Sequence, residues 1–179
     1  MPTLAPMPDR QPADVLAHAP GLATSWWIAR TKPRQEKKLA RWLLKTETGY
    51  FLPLKRRVRN WRGRRIHGEE PLLSGYVFML GDEAAAARAF SSGALAERLA
   101  VADQCGLIEE LRALARLAAL DRELRELPGL VEGREVELKA GPCKGMRGII
   151  AGGARFVVRL EILGRFLEIP LDPAEVEAL

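Results

Sequence analysis

The period of hydrophobic and polar positions changes several times along the chain, and each change marks an element. Ser25–Thr31 (SWWIART) is rich in aromatic and β-branched residues and reads as a strand. Pro33 follows, at a position where the first turn of a helix tolerates a residue without an N–H. In RQEKKLARWLLK, Leu39, Trp42 and Leu43 recur at i, i+3 and i+4 among lysines and arginines. That spacing predicts an amphipathic helix with a basic outer face, stopped at Gly49. YFLPL (50–54) is extended and punctuated by Pro53. KRRVRNWRGRRIHGEE reads as a hairpin with Arg62-Gly63-Arg64 near its tip. Only Val58, Trp61 and Ile66 are apolar in it, so it can bury little of itself and is expected to project. After Pro71, GYVFML (75–80) is apolar on both faces, the pattern of a central strand covered from both sides.

Glu83–Phe90 predicts a short helix stopped by Ser91-Ser92-Gly93, and Ala96–Ala102 a short strand. Asp103 is a candidate N-cap for a long helix with Leu107, Leu111, Leu114, Ala118 and Leu124 as its apolar stripe, ended by Pro128-Gly129. Beyond about Val131 the character shifts. EVELK (135–139) alternates, GPCKGMRG is a glycine-punctuated turn, and Gly148–Ala151, Arg155–Leu163 and Arg165–Ile169 read as further short strands. Short strands at this density, with no helical period, imply a small barrel. The expected organisation is a flexible tail (1–24), a first domain (25–127), a linker (128–132) and a small all-β domain (133–179), hence α+β overall.

Composition refines this outline. An apolar share of 47% with 28% charged residues is that of an ordinary globular protein. No stretch approaches the ~20 apolar residues of a membrane span, and the Pro- and Ala-rich start lacks the apolar core of a signal peptide, so a cytoplasmic protein without a membrane partner is expected. Cys105 and Cys143, and His18 and His67, are too scattered for a metal site or disulfide framework. The net charge of +5 hides a segregation: residues 26–70 hold 14 Lys/Arg against 4 Asp/Glu, a local +10, leaving −5 for the rest. A concentrated positive field attracts polyanions, nucleic acid above all. Catalytic fingerprints such as GxSxG, a P-loop, HExxH or a dinucleotide loop are missing from the sequence. Glu69-Glu70 and Glu109-Glu110 read as solvated faces, so neither an enzyme nor a cofactor is expected.

Four blocks carry a family resemblance, in order and at the family's separations: SWWIARTKPRQEKKL, PLLSGYVFM, VELKAGPCKGMRGII and LEILGRFLEI. The first two resemble the NusG N-terminal domain, with its W-Y/W strand and PLFPGYVFV-like central strand. The last two resemble the KOW domain, with its DGPF…G turn and IFGR junction. The resemblance implies an N-terminal antiparallel sheet flanked by helices plus an SH3-like KOW barrel. It also implies a monomeric elongation or antitermination factor. Its N-terminal domain would bind the clamp helices of the largest RNA polymerase subunit, suppress pausing and contact DNA of the transcription bubble. Its KOW domain would recruit Rho or the ribosomal protein NusE.

Carried onto this sequence, the polymerase-facing positions are Trp27, Tyr50, Leu73, Tyr76 and Phe78, with Leu73 and Tyr76 favoured because they flank the start of the GYVFML strand. The nucleic-acid-facing positions are Lys32, Arg34, Lys37, Arg41 and Lys45 on and before the first helix, and Arg62, Arg64 and Arg65 on the hairpin. The KOW partner-binding positions are Cys143, Leu163, Arg165 and Phe166. Ser74 replaces the family's proline, Cys143 its phenylalanine and Leu163 its second aromatic; the last two changes point to a specialised paralogue. Glycine at 141, 145, 148, 152, 153 and 164 disfavours a helical form of this domain. An RNA-binding or ribosome-associated KOW protein would explain the charge and the barrel, but not PLLSGYVFM.

Overall fold

The computed structural model describes residues 7–17, 21, 23–120, 124–127, 133–140, 143–151, 155–170 and 176–178. The described residues are α+β, with antiparallel sheets and three α-helices. In chain order the elements are β1 (Arg10–Gln11), β2 (Ser25–Thr31), α1 (Glu36–Lys45), β3 (Gly49–Phe51), β4 (Leu54–Trp61), β5 (Arg64–Pro71), β6 (Tyr76–Gly81), α2 (Glu83–Arg88), β7 (Leu95–Ala100) and α3 (Gln104–Ala118). β8 (Arg125–Leu127), β9 (Arg134–Leu138), β10 (Arg147–Ala151), β11 (Arg155–Leu160), β12 (Arg165–Pro170) and β13 (Val176–Ala178) follow. The chain divides into two units, one built from the residues up to Leu54 and Leu73–Ile108, the other from Lys55–Leu72 and the residues from Glu109 on.

The first unit holds a five-stranded sheet in the order β1-β3-β6-β2-β7. The doubly apolar β6 is its middle strand, as its pattern requires. Register aligns Ile28, Phe78 and Phe51 across one face and Trp27, Met79 and Tyr50 across the other. The second face packs on Leu39, Ala40 and Leu43 of α1 and on Ala86 and Ala89 after β6. Burying each leucine contributes roughly 1.5–3 kcal/mol, which fixes α1 to the sheet by its apolar stripe. On the first face the rings of Phe51 and Phe78 stack 6.2 Å apart, both fully buried.

Three expectations are corrected. Gly49 does not stop α1. The helix ends at Thr46, whose hydroxyl donates back to the Trp42 carbonyl, and Glu47 takes the left-handed turn. Gly49 instead opens β3, where a Cβ would press on the Leu80 backbone and side chain at 3.1 Å; glycine there lets β3 approach β6.

Residues 7–17, expected within a flexible tail, are ordered. β1 pairs with β3, the Leu52 amide donates to the Asp9 carbonyl at 2.7 Å, and Val15 and Leu16 are buried. The Pro- and Ala-rich composition concealed them, but an aromatic edge strand such as β3 needs cover.

The third helix ends at Ala118, short of Leu124, and Arg125–Leu127 pairs with β12. The two units part between Ile108 and Glu109, and the expected linker at 128–132 lies outside the described residues.

The second unit holds a six-stranded antiparallel sheet in the order β13-β9-β10-β11-β12-β8. Val136, Leu138, Phe156, Val157, Val158, Leu160 and Leu167 form its buried apolar set. The turn at 161–164 joins β11 to β12, with Gly164 in the left-handed region. The Ile162 amide in that turn donates to the Glu110 carboxylate of α3 at 2.9 Å. The β4–β5 ribbon forms its own two-stranded sheet and belongs to this unit. The Lys55 ammonium anchors its base by donating to the Leu124 carbonyl at 3.0 Å. No helix among the described residues is long and apolar enough to cross a membrane.

Candidate functional site

Burial separates the five aromatic and aliphatic candidates. Tyr50, Leu73 and Phe78 are fully buried. Tyr50 lies in the helix-packed core, where its hydroxyl donates to the Pro8 carbonyl at 2.8 Å. Burial, helped by the Asp9 charge, pushes its phenol up to about 12. Leu73 was one of the two favoured positions, yet it turns inward with Leu72 and leaves Ser74 exposed. These three side chains hold the sheet together and present no surface to a partner in this structure.

Trp27 and Tyr76 are half-buried. The Trp27 indole is held by two contacts: its N–H donates to the Gly81 carbonyl at 3.1 Å, and the Arg98 guanidinium, itself ion-paired with Glu83, sits 4.9 Å from its ring centroid.

Tyr76 is positioned by a residue the sequence reading passed over. Glu36, in the first turn of α1, is buried, and its carboxylate accepts the Gly75 amide at 2.7 Å. The Gly75 carbonyl in turn accepts the Thr31 amide at 2.9 Å. Both backbone groups before Tyr76 are thereby pinned, and losing the buried acceptor would cost about 1–3 kcal/mol. The signal available in sequence was a lone acid amid basic residues at a helix start, where a carboxylate also suits the helix dipole. Gln104 was likewise missed: its amide accepts from the Trp26 N–H at 2.7 Å and donates to the Trp26 carbonyl at 3.0 Å, tying the start of α3 to β2.

The basic candidates fall on two separate elements. Arg34, Arg41 and Lys45 are exposed and Lys37 is half-buried, all on or just before α1. Lys32 is exposed, with its ammonium donating to the Gly93 carbonyl at 3.0 Å. On the ribbon, Arg62, Arg64 and Arg65 are all exposed. The ribbon turns through Arg62 and Gly63, both with positive φ (48° and 76°), a two-residue loop whose twist matches paired strands. Its acidic residues sit at the base. Glu70 is bonded to Arg57 and lies 3.5 Å from the Lys55 ammonium. Burial pushes the Glu70 carboxyl up, but the hydrogen bonds and charges of Arg57 and Lys55 outweigh it and hold the group below its ordinary range. The base is therefore internally neutralised, and the tip keeps its positive charge.

In the C-terminal unit, Cys143 and Phe166 are buried, while Leu163 and Arg165 are half-buried around the 161–164 turn. The Cys143 carbonyl accepts the Met146 amide at 3.0 Å, so this residue shapes its turn from within. Of the four candidates only Leu163 and Arg165 offer surface, on the turn that Glu110 holds.

Comparison with known proteins bears on much of the first unit and on the ribbon. A search of curated proteins found no match. Residues 24–91, from the edge of β2 through α1, the basic ribbon, β6 and α2, match the NusG family, described as transcription termination factor nusG. This segment carries every polymerase-facing and nucleic-acid-facing candidate, and over it the chain is similar to the NusG family.

Proposed function

We propose that this protein is a non-catalytic transcription elongation or antitermination factor that docks on the clamp helices of RNA polymerase through its N-terminal unit. The observation that carries the reading is the family match over residues 24–91, the segment that also holds the +10 charge concentration. Tyr76 is the contact residue: it is half-buried on the sheet face that carries Phe78, and the backbone leading into it is pinned at Gly75, whereas Trp27 lies on the opposite face with Met79. The basic face of α1 and the ribbon then hold DNA of the transcription bubble through phosphate contacts, whose strength falls with salt.

The six-stranded C-terminal sheet serves, in this reading, as a KOW-type barrel that recruits a further factor such as NusE or Rho. Phe166 and Cys143 are buried, which leaves Leu163 and Arg165 to carry the recruitment surface and favours a specialised paralogue over a general factor.

The test is retention of core RNA polymerase by the immobilised full chain, run beside ribosomal subunits. Polymerase should be retained, and Tyr76→Ala should weaken it about tenfold or more while leaving the fold intact. Capture of ribosomal subunits without polymerase would overturn the reading.

A further inference from the structure

A buried carboxylate stands between the basic helix α1 and the turn that leads into Tyr76. Glu36, the first residue of α1, keeps only 5% of its surface exposed, and its Oε1 accepts the Gly75 amide at 2.7 Å. Taking a carboxylate out of water is costly, and a hydrogen bond to the charged oxygen recovers part of that cost. The bond reaches a backbone group 39 residues away, so it serves the turn rather than the helix that carries it.

Ser74 and Gly75 form that turn. Gly75 has a φ of 82°, the left-handed conformation of the third position in a type II turn. The second position of such a turn favours proline, whose ring sets φ at about −65° and leaves the chain less freedom to lose. Here the second residue is Ser74, exposed to solvent. A serine followed by a glycine restrains the turn little on its own. Packing adds nothing on one side either, since beyond its chain neighbours no atom lies within 4 Å of the place a Gly75 Cβ would take. Hydrogen bonds supply the restraint instead. The Gly75 carbonyl accepts the Thr31 amide at 2.9 Å, which continues the β2–β6 ladder; the Gly75 amide is held by Glu36 from another element.

We infer that Glu36 is a positioning residue for polymerase docking: without touching the partner, it holds the turn that presents Tyr76 and does from α1 what a proline would do within the turn. This rests on the reading of Tyr76 as the docking contact. A ring on an unrestrained turn has more freedom to lose when it is buried against a partner, so affinity falls although the ring is unchanged. The turn needs an acceptor at this place, and an amide oxygen can supply one.

The test measures the affinity of the labelled full chain for core RNA polymerase by fluorescence anisotropy. Glu36→Ala should weaken binding by about three- to tenfold, less than Tyr76→Ala does. In the Tyr76→Ala background the same change should cost less than about twofold, because Glu36 acts through Tyr76. Glu36→Gln should keep the affinity within about twofold of the parent. Ser74→Pro should be nearly neutral alone and should recover most of the loss in Glu36→Ala. A merely structural role would lower affinity equally with and without Tyr76, and Ser74→Pro would not repair it. Gly75→Ala keeps the inference testable if Glu36→Ala fails to fold. Its Cβ enters open space, yet alanine is strained at this φ, so the turn shifts while the core stays intact. It too should weaken binding, and only where Tyr76 is present.

Equal losses in the two backgrounds, full affinity in Glu36→Ala or Gly75→Ala, or a loss that Ser74→Pro leaves in place would overturn the inference. An inert Glu36→Ala beside a weakened Tyr76→Ala removes the positioning role alone and leaves the docking reading standing. A full chain that polymerase does not retain, or a Tyr76→Ala that binds as well as the parent, removes the docking contact itself and the inference with it.

Discussion

Two aromatic side chains ten residues apart meet an arginine in the same way and end in opposite environments. Phe51 on β3 lies under Arg10, 5.0 Å from its ring centroid, and is fully buried; Trp61 at the ribbon tip lies under Arg62 at 5.9 Å and is 64% exposed. The difference is in what surrounds the pair. Phe51 has the Phe78 ring beside it and β1 hydrogen-bonded along its strand. Trp61 has only its own ribbon. At β3 the arginine comes from a separate segment and completes the cover of a core. At the tip it is the next residue in the chain and covers little. A cation over a ring is thus no sign of function by itself. Its meaning depends on whether the ring's remaining surface is already used, and of these two rings Trp61 is the one whose surface remains available.

The largest expected effect tests that contrast directly. Phe51→Ala should destabilise the N-terminal unit by about 3–5 kcal/mol, the usual cost of emptying a buried aromatic site. Trp61→Ala should change stability by no more than about 0.5 kcal/mol, as for a surface substitution. Urea unfolding followed by far-ultraviolet circular dichroism would measure both, with the transition of the N-terminal unit fitted separately from any second one. Comparable losses at the two positions would mean that the ribbon is packed rather than bare.

Much of this contrast could be read from the sequence, though unevenly. The ribbon was legible because its shortage of apolar residues is a local property: Val58, Trp61 and Ile66 among seven cationic side chains cannot make a core. The central place of β6 was legible for the opposite reason, since GYVFML leaves no polar face for solvent. The cover over β3 was not. Val15 and Leu16 stand among prolines and alanines with no period, and their role exists only once Asp9–Gln11 lies along β3. The same limit explains Tyr50, Leu73 and Phe78, chosen as partner contacts because they occupy family-like positions. Which face of a strand is covered depends on elements distant in sequence, and strand period gives two faces without saying which is exposed. Glu36 escaped notice because a buried carboxylate whose partner is a backbone amide 39 residues away leaves no local trace.

The covered edge also makes a prediction about alkaline pH. Burial, with the Asp9 charge, raises the Tyr50 phenol from 10.0 to about 12. Below pH 10 the phenol is neutral in both folded and unfolded chains, and its contribution is complete. Between pH 10 and 12 the unfolded chain releases this proton while the folded one keeps it, so stability falls as pH rises, by about 2–3 kcal/mol at pH 12. Tyr50→Phe should flatten that decline, at a cost of roughly 0.5–1.5 kcal/mol at neutral pH for the lost bond to Pro8. Parallel pH profiles for the two proteins would show that the hydroxyl is open to solvent and that residues 7–17 do not cover it.

The smallest effect belongs to the bare ribbon, at the acid end. Arg57 and Lys55 outweigh burial and hold the Glu70 carboxyl below 4.5. For a carboxylate depressed in the folded state the sign is opposite to that of Tyr50: its stabilisation is present above about pH 4.5 and is lost as pH falls through the lower folded value. The Glu70 side chain is 27% exposed and that of Arg57 49%, so solvent screening limits the gain to a few tenths of a kcal/mol, and added salt reduces it further. Stability would scarcely register such a change, but a carboxyl chemical-shift titration would. The Glu70 midpoint should lie below the ordinary glutamate value and should rise in Arg57→Ala, because burial, which opposes ionisation, then loses its strongest counterweight. A midpoint that stays put in Arg57→Ala would mean that the base of the ribbon is as open as its tip, and the internal neutralisation that confines positive charge to Arg62, Arg64 and Arg65 would no longer hold.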